Sequence, residues 1–296
     1  MSPESTQAIL NIVLPVFIII GVGYFFGRVK EIDLKSINEL ILYISTPCLI
    51  ISSLSRFPID LQITGRIFVC VLIILLITMI AGFILIKLLD LPYKVYVPPL
   101  MFANTGNMGL PLILFAFGEA GFNNGIIYMV ATTLFHYTLG IMLVNTHRNP
   151  LEVFKLPLVY STAIGLLISI AHIDLPVAAS RSIELLGEIS IPAMIFSLGY
   201  KLSGMRMTST AYSFLFGTLR IVLGFALGLL LADILGLRGV ALKVIVLQAS
   251  MPPAVFNFVL AEKYRQDSQT VASIIMAGTI SSLFILPFII SYLLDK

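Results

Sequence analysis

Between Arg66 and Lys87 the chain runs through twenty residues, Ile67 to Ile86, without one charged side chain. A helix needs about that many residues to cross the hydrocarbon core of a bilayer. There, only the chain itself can satisfy backbone N–H and C=O groups, so such a segment must be helical. Comparable runs lie near 8–27, 34–54, 66–87, 95–118 and 124–146, and again near 152–171, 182–200, 209–232, 239–262 and 270–293. The pattern predicts an all-α polytopic membrane protein of about ten transmembrane helices, with loops too short for a soluble domain. Composition points the same way: 58% of the 296 residues are hydrophobic and 11% are charged, where a soluble domain carries roughly a quarter. A net charge of +3 argues against nucleic acid as a partner.

Cys48 and Cys70 both sit in apolar runs, so a disulfide framework is not expected. Trp is absent, which leaves Tyr24, Tyr93 and Tyr292 for the interfacial belt. The opening MSPESTQ lacks the cationic stretch of a signal peptide, so the first apolar run is expected to stay as a span. Basic residues bias the topology. With the N-terminus outside, cytoplasmic loops hold eleven Lys and Arg, among them Arg28, Lys87, Arg148 and Lys263, against six on the other side. That places both termini on the extracellular or periplasmic face.

The two halves of the chain look alike. Ile44-Ser45-Thr46-Pro47-Cys48-Leu49-Ile50 in span two resembles Ile189-Ser190-Ile191-Pro192-Ala193-Met194-Ile195 in span seven, about 145 residues on. Spans four and nine each carry a Gly/Pro break followed by an apolar stretch ending in Glu119 and Glu262. Five is an odd number of crossings, so a repeated half must sit upside down, an arrangement recurrent in secondary transporters. The expected halves are residues 1–148 and 149–296.

The breaks carry the chemistry. Met101 to Pro111 contains Asn104, Thr105, Gly106, Asn107, Gly109 and Pro111, and cannot continue as an ordinary lipid-facing helix. Its counterpart, Gln248 to Asn257, contains Ser250, Pro252 and Pro253. Unwound backbone at membrane depth persists where it lines a cavity or is buried in protein. Inverted symmetry would bring the breaks together as an X near the midplane. New half-helix N-termini following Pro111 and Pro253 would then offer N–H groups and positive dipole ends to a carboxylate. Asn104, Asn107, Gln248, Ser250 and Asn257 add neutral donors and acceptors. Simple kinks filled by Ser and Thr are the plainer alternative.

Secondary candidates are few. No Asp or Glu lies centrally in a span, which leaves no evident seat for a carboxylate proton relay. Arg220 is the one deep cation; it is expected to snorkel to the interface, neutralisation of a bound anion being the alternative. His136 is expected to be a hydrogen-bonded packing residue, with titration as its other use. Thr132 and Thr133 either face the cavity or back-bond within their helix. Ser45 and Ser190 belong to the paired Ser-x-Pro elements.

At these breaks Asn104-Thr105-Gly106-Asn107-Met108-Gly109-Leu110-Pro111, and Gln248 to Phe258 followed by Val259-Leu260-Ala261-Glu262-Lys263-Tyr264, resemble the auxin efflux carrier family. That family includes plant PIN-formed auxin exporters and bacterial dicarboxylate permeases, and the resemblance covers the whole chain. It implies the fold of bile-acid/sodium symporters: two inverted five-helix repeats with broken crossover helices 4 and 9. Helices 1, 2, 6 and 7 would form a scaffold, with a homodimer through helices 2 and 7, and helices 3–5 and 8–10 a moving transport domain. By matching position Asn104, Pro111, Pro252 and Pro253 carry over as crossover residues. The long cytoplasmic loop of the plant exporters is missing, as in a compact prokaryotic member residing in the cytoplasmic membrane.

The function expected is a secondary or facilitative carrier of a small mono- or dicarboxylate, working by elevator-type alternating access. No cofactor or bound metal is expected; coupling to Na⁺ or H⁺ stays open. An anion channel or a membrane-embedded ligand sensor is the alternative. An intramembrane enzyme would need paired Asp, a Ser–His pair or an HExxH metal site, and no such set stands in the spans.

Overall fold

The computed structural model describes residues 3–56, 60–145, 154–208 and 211–296. Its elements are α1 (Pro3–Val29), α2 (Leu34–Arg56), α3 (Leu61–Leu89) and α4 (Tyr93–Met101). The helical stretch Thr105–Val144 is interrupted at Gly118, whose φ of 63° only glycine adopts easily. This divides it into α5 (residues 105–117) and α6 (residues 119–144). Then follow α7 (Pro157–Ile170), α8 (Val177–Ser203), α9 (Ala211–Ile234), α10 (Gly239–Ala249), α11 (Phe256–Lys263) and α12 (Ser268–Asp295).

Among the described residues seven segments are long and apolar enough to cross a bilayer, and Pro157–Ile170 and Gly239–Ala249 are shorter apolar helices. With α4 and α5 taken as one interrupted crossing, and α10 and α11 as another, the expected ten crossings are accounted for. The chain is an all-α polytopic membrane protein. Some boundaries differ from expectation. The turn between the fourth and fifth crossings is a single glycine at 118 instead of a loop at 119–123. The seventh crossing begins at Val177, five residues before the apolar window, with Arg181 on its outer turns where a helix can continue beyond hydrocarbon. The expected turn at His147–Pro150, the 148/149 division and the expected start of the sixth crossing lie outside the described residues.

Local chemistry sets the helix starts. Asp33, Asp60 and Asp267 precede α2, α3 and α12 and accept first-turn backbone N–H groups: Lys35 N at 3.1 Å, Gln62 N at 2.8 Å and Thr270 N at 3.0 Å. Each cap satisfies donors the helix leaves open. The Ser36 hydroxyl also donates to Asp33, and these bonds hold the Asp33 carboxyl below its ordinary range.

Two sets of helices emerge from the packing. In one, α1 lies along α8, and α2 packs on α7 and α8. In the other, α9 packs on α12, α10 and α4, while α3 lies against α4 and α10 against the α5–α6 stretch. The second set holds the most deeply buried segment of the chain: Val244, Ile245, Val246 and Leu247 of α10 are all at 0% exposure. Close approach in the first set depends on small residues, as membrane helix pairs generally do. A Cβ on Gly199 of α8 would collide with the Ile20 carbonyl and the Tyr24 amide of α1, and one on Gly23 of α1 with the Phe196 carbonyl. In the second set Gly217 of α9 and Gly278 of α12 cross back to back, which lets Pro253 seat against Gly278.

Gly199→Val is therefore expected to force α1 and α8 apart. Overpacking of this kind costs about 1–3 kcal/mol. The thermal midpoint of purified protein in detergent should fall by several degrees, whereas Gly65→Val, at a position with nothing within 4 Å, should leave it in place.

Candidate functional site

The two breaks meet. Between α4 and α5 the chain is extended at Phe102 to Asn104, and between α10 and α11 at Met251 to Ala254. These short strands run antiparallel and pair at Ala103 and Pro253. Asn104 N donates to Pro252 O at 2.8 Å, and Ala254 N donates to Phe102 O at 2.9 Å. Four half-helices thus radiate from one two-bond bridge. Pro252 and Pro253 are suited to it because the bridge uses the Pro252 carbonyl and asks nothing of the nitrogens a proline lacks.

Pro111 acts differently from expectation. The second half-helix starts at Thr105, not after Pro111, because Thr105–Gly109 forms a π turn with Gly109 N donating to Asn104 O at 3.0 Å. Pro111 then falls in the following first turn of α-helix, where its missing N–H is tolerated. Pro98 and Pro99, just before the break, contribute to ending α4 and were not singled out in the sequence.

A cavity of about 220 Å³ lies beside the bridge. The start of α5 (Asn104, Thr105, Gly106, Asn107), Ala254 to Phe256 at the start of α11, and Met129, Thr132, Thr133, His136 and Tyr137 of α6 form one wall. Ile41, Leu42 and Thr46 of α2, Met194 of α8, and Leu156 and Leu158 at α7 close it from the other helix set. Both half-helix N-termini that follow the crossing, α5 and α11, therefore border one space. All three π-helical segments among the described residues, Ile41–Ser45, Thr105–Gly109 and His136–Gly140, contribute to its lining. An inserted residue of this kind widens a helix turn and is frequent at functional sites.

The individual side chains divide into lining and bracing groups. Asn104, 5% exposed, has an amide nitrogen without a partner. Thr132 lines the cavity but returns its hydroxyl to Tyr128 O at 2.9 Å. His136 stacks on Phe102 with ring centroids 3.9 Å apart, meets Phe256 edge-on, and its Nε2 lies 3.0 Å from Asn257 Oδ1. Asn257 in turn donates to Ala254 O at 2.9 Å and Phe102 O at 3.4 Å, so it clamps the crossing to α6 instead of lining the cavity. Gln248 lies behind the crossing: its amide donates to Gly125 O at 3.2 Å and its oxygen faces Gly109. Ser250 turns its hydroxyl back to Val246 O at 2.6 Å and ends α10.

Ser45 and Ser190 face each other. Ser190 Oγ lies 3.1 Å from Ser45 Oγ and 3.2 Å from Thr46 Oγ1, a buried hydroxyl layer joining α2 to α8. Arg220 does not snorkel. It is 1% exposed, with Nε and Nη1 unpartnered. Its helix position near the centre of Ala211–Ile234 puts both interfaces out of reach. Tyr137, Phe256, Met129 and Thr46 were not picked from sequence; an aromatic or Met in an apolar run carries no signal of its own.

A second cavity, about 280 Å³, continues the same seam. Along α2 the first cavity takes Ile41, Leu42 and Thr46, and the second takes Leu49, Ser52, Ser53 and Arg56. Along α8 the second takes Glu184, Gly187, Glu188, Ile191 and Pro192, and Leu114, Glu119 and Phe122 face it from the α5–α6 turn. Arg56 pairs there with Glu184. The hydroxyl layer of Ser45, Thr46 and Ser190 sits at the boundary between the two spaces. Among the described residues no group of three or more His, Cys, Asp or Glu side chains is placed to hold a metal ion.

Comparison with known proteins places this architecture. A family model described as membrane transport protein matches residues 8–155 and 148–290. An uncharacterized transporter of Methanocaldococcus jannaschii is 26% identical over 94% of this chain and 96% of its own length. One from Methanothermobacter thermautotrophicus is 27% identical over 93% and 95%. Auxin efflux carrier component 1 of Arabidopsis thaliana is 26% identical over 45% of this chain and 22% of the plant protein. With almost its entire length matched, the chain belongs to the membrane transport family that includes the auxin efflux carriers.

Proposed function

We propose that the protein carries a small organic carboxylate across the membrane, holding it in the cavity at the crossing of α4–α5 and α10–α11. The observation that carries this is the convergence of two half-helix N-termini, Thr105 to Asn107 and Val255 to Phe256, on one cavity with the unpartnered amide of Asn104. Helix N-termini present N–H groups and the positive end of the dipole, which favour an anion. Neutral Asn and Thr side chains then orient it without a competing charge. The apolar wall of Met129, Tyr137 and Phe256 suits the hydrocarbon part of the ligand.

Transport follows from the seam. With the basic loops on the cytoplasmic side, the crossover cavity faces the cytoplasm and the second cavity faces outside. The helices α3–α6 and α9–α12 would slide as a transport domain against a scaffold of α1, α2, α7 and α8, past the hydroxyl layer. The bound anion would then pass from one cavity to the other, an elevator form of alternating access. Lys201 of α8 lies 4.0 Å from Glu262 of α11 and over the Phe258 ring, a contact between the two sets that this motion would break.

Two outcomes follow for proteoliposome uptake of a mono- and dicarboxylate panel. Asn107→Ala, measured on protein that still elutes as a folded species, should lower carboxylate uptake at least tenfold, because it removes a cavity-lining amide and little packing. Wild-type uptake in Asn107→Ala would remove this cavity as the site. Asn257→Leu leaves His136 Nε2 buried without its partner and loosens the clamp on Phe102 and Ala254, at about 1–3 kcal/mol. It should lower both the thermal midpoint and the uptake rate, whereas adding His136→Phe, which removes the orphaned nitrogen and keeps a ring against Phe102, should recover part of the midpoint.

A further inference from the structure

Arg220 is a buried cation that does not line the cavity. At 1% exposure it is among the largest fully buried side chains of the protein, and its Nε and Nη1 atoms have no hydrogen-bond partner. None of the ion pairs among the described residues includes it. Its place is behind the crossing. One turn along α9, a Cβ on Gly224 would meet the Ala249 carbonyl and come within 3.0 Å of Arg220 Nη1. The guanidinium therefore lies at the C-terminal end of α10, where the half-helix dipole is negative. Its electrostatic neighbour from α6 is the phenol of Tyr128, next in sequence to the cavity residue Met129.

An unpaired charge at this depth is heavily penalised. One half-helix end carries only about half an elementary charge, so the C-terminus of α10 leaves the cation incompletely balanced. Taking Tyr128 and Met129 as facing opposite ways across α6, the cavity is about one helix diameter, or about 10 Å, from the guanidinium. At that range in a low-dielectric interior a charge still changes anion affinity by roughly tenfold. Its helix, α9, packs on α12, α10, α4 and α3, all of the same set.

We propose that Arg220 is the fixed counter-charge of the transport domain: it raises affinity for the carboxylate and balances the charge of a bound monocarboxylate in the buried core of that domain. The inference rests on the carrier reading above and adds a charge balance to it. Loaded with a monoanion, the buried core of the moving domain crosses the field without net charge; loaded with a dianion that core carries one negative charge. Arg220 acts through the field, not by touching the ligand, and is a positioning residue in that sense.

The test is equilibrium exchange of radiolabelled indole-3-acetate, a monocarboxylate, and of malate, a dicarboxylate, in proteoliposomes. The membrane potential is set by K⁺ gradients with valinomycin. For wild-type protein, exchange of the monocarboxylate is expected to be independent of potential, and exchange of the dicarboxylate to depend on it. Arg220→Gln should raise the KM for the monocarboxylate roughly tenfold and make its exchange potential-dependent, and Arg220→Lys should restore both. A purely structural role would change rates without changing the response to potential. Potential-dependent monocarboxylate exchange by wild-type protein, or potential-independent dicarboxylate exchange, overturns the inference even if Arg220→Gln does not fold. So does a folded Arg220→Gln protein with wild-type KM and wild-type response. Exchange of neither probe by wild-type protein overturns the carboxylate reading itself, and the inference with it.

Discussion

The two hydrogen bonds between the interrupted crossings govern the rest of the structure. Asn104 N to Pro252 O and Ala254 N to Phe102 O are backbone bonds formed where two helices have each lost their own. In lipid an unsatisfied peptide group costs several kcal/mol, so neither break is tolerable alone. Paired, each satisfies the other, and the half-helices they release must end and begin at the same depth. The cavity follows from that constraint: α5 and α11 start there, and Asn257 with His136 fixes the crossing to α6.

Around this centre the chain is organised by where it is small. Gly217 and Gly278 let α9 and α12 touch so that Pro253 has room, and Gly224 admits the end of α10 beside Arg220. Gly23, Gly27 and Gly199 join α1 to α8 in the other set. Between the sets lies a seam with one cavity on each side of a buried hydroxyl layer. Two spaces separated by one thin layer are the geometry on which the proposed alternating access rests.

Much of this was legible in the residues. Long uncharged runs bounded by Arg and Lys announce helices in lipid, and two clusters of Asn, Gly and Pro inside such runs mark where those helices fail. The failure at Met251 to Ala254 is where two consecutive prolines put it. At Met101 to Pro111 the obvious breaker misleads, because Pro111 opens a helix turn and the chain departs from helix nine residues earlier, at Phe102. The π turns at Ile41, Thr105 and His136 have no composition of their own that marks them in the sequence. Gln248 and Ser250 have the chemistry of ligand contacts but spend it on Gly125 and Val246. Arg220 showed that depth, not residue type, decides whether a cation reaches water: near the middle of its helix it is 1% exposed.

The most direct measurement is substrate protection of a thiol placed in the cavity. Thr133→Cys, in a protein whose Cys48 and Cys70 are replaced by Ala, presents one cysteine on the cavity wall beside His136. A carboxylate that the protein carries is predicted to slow maleimide labelling of that cysteine, with half-protection near its transport KM. If the same carboxylate is carried at full rate and labelling is unchanged at saturating concentration, the crossover cavity is not where the substrate binds.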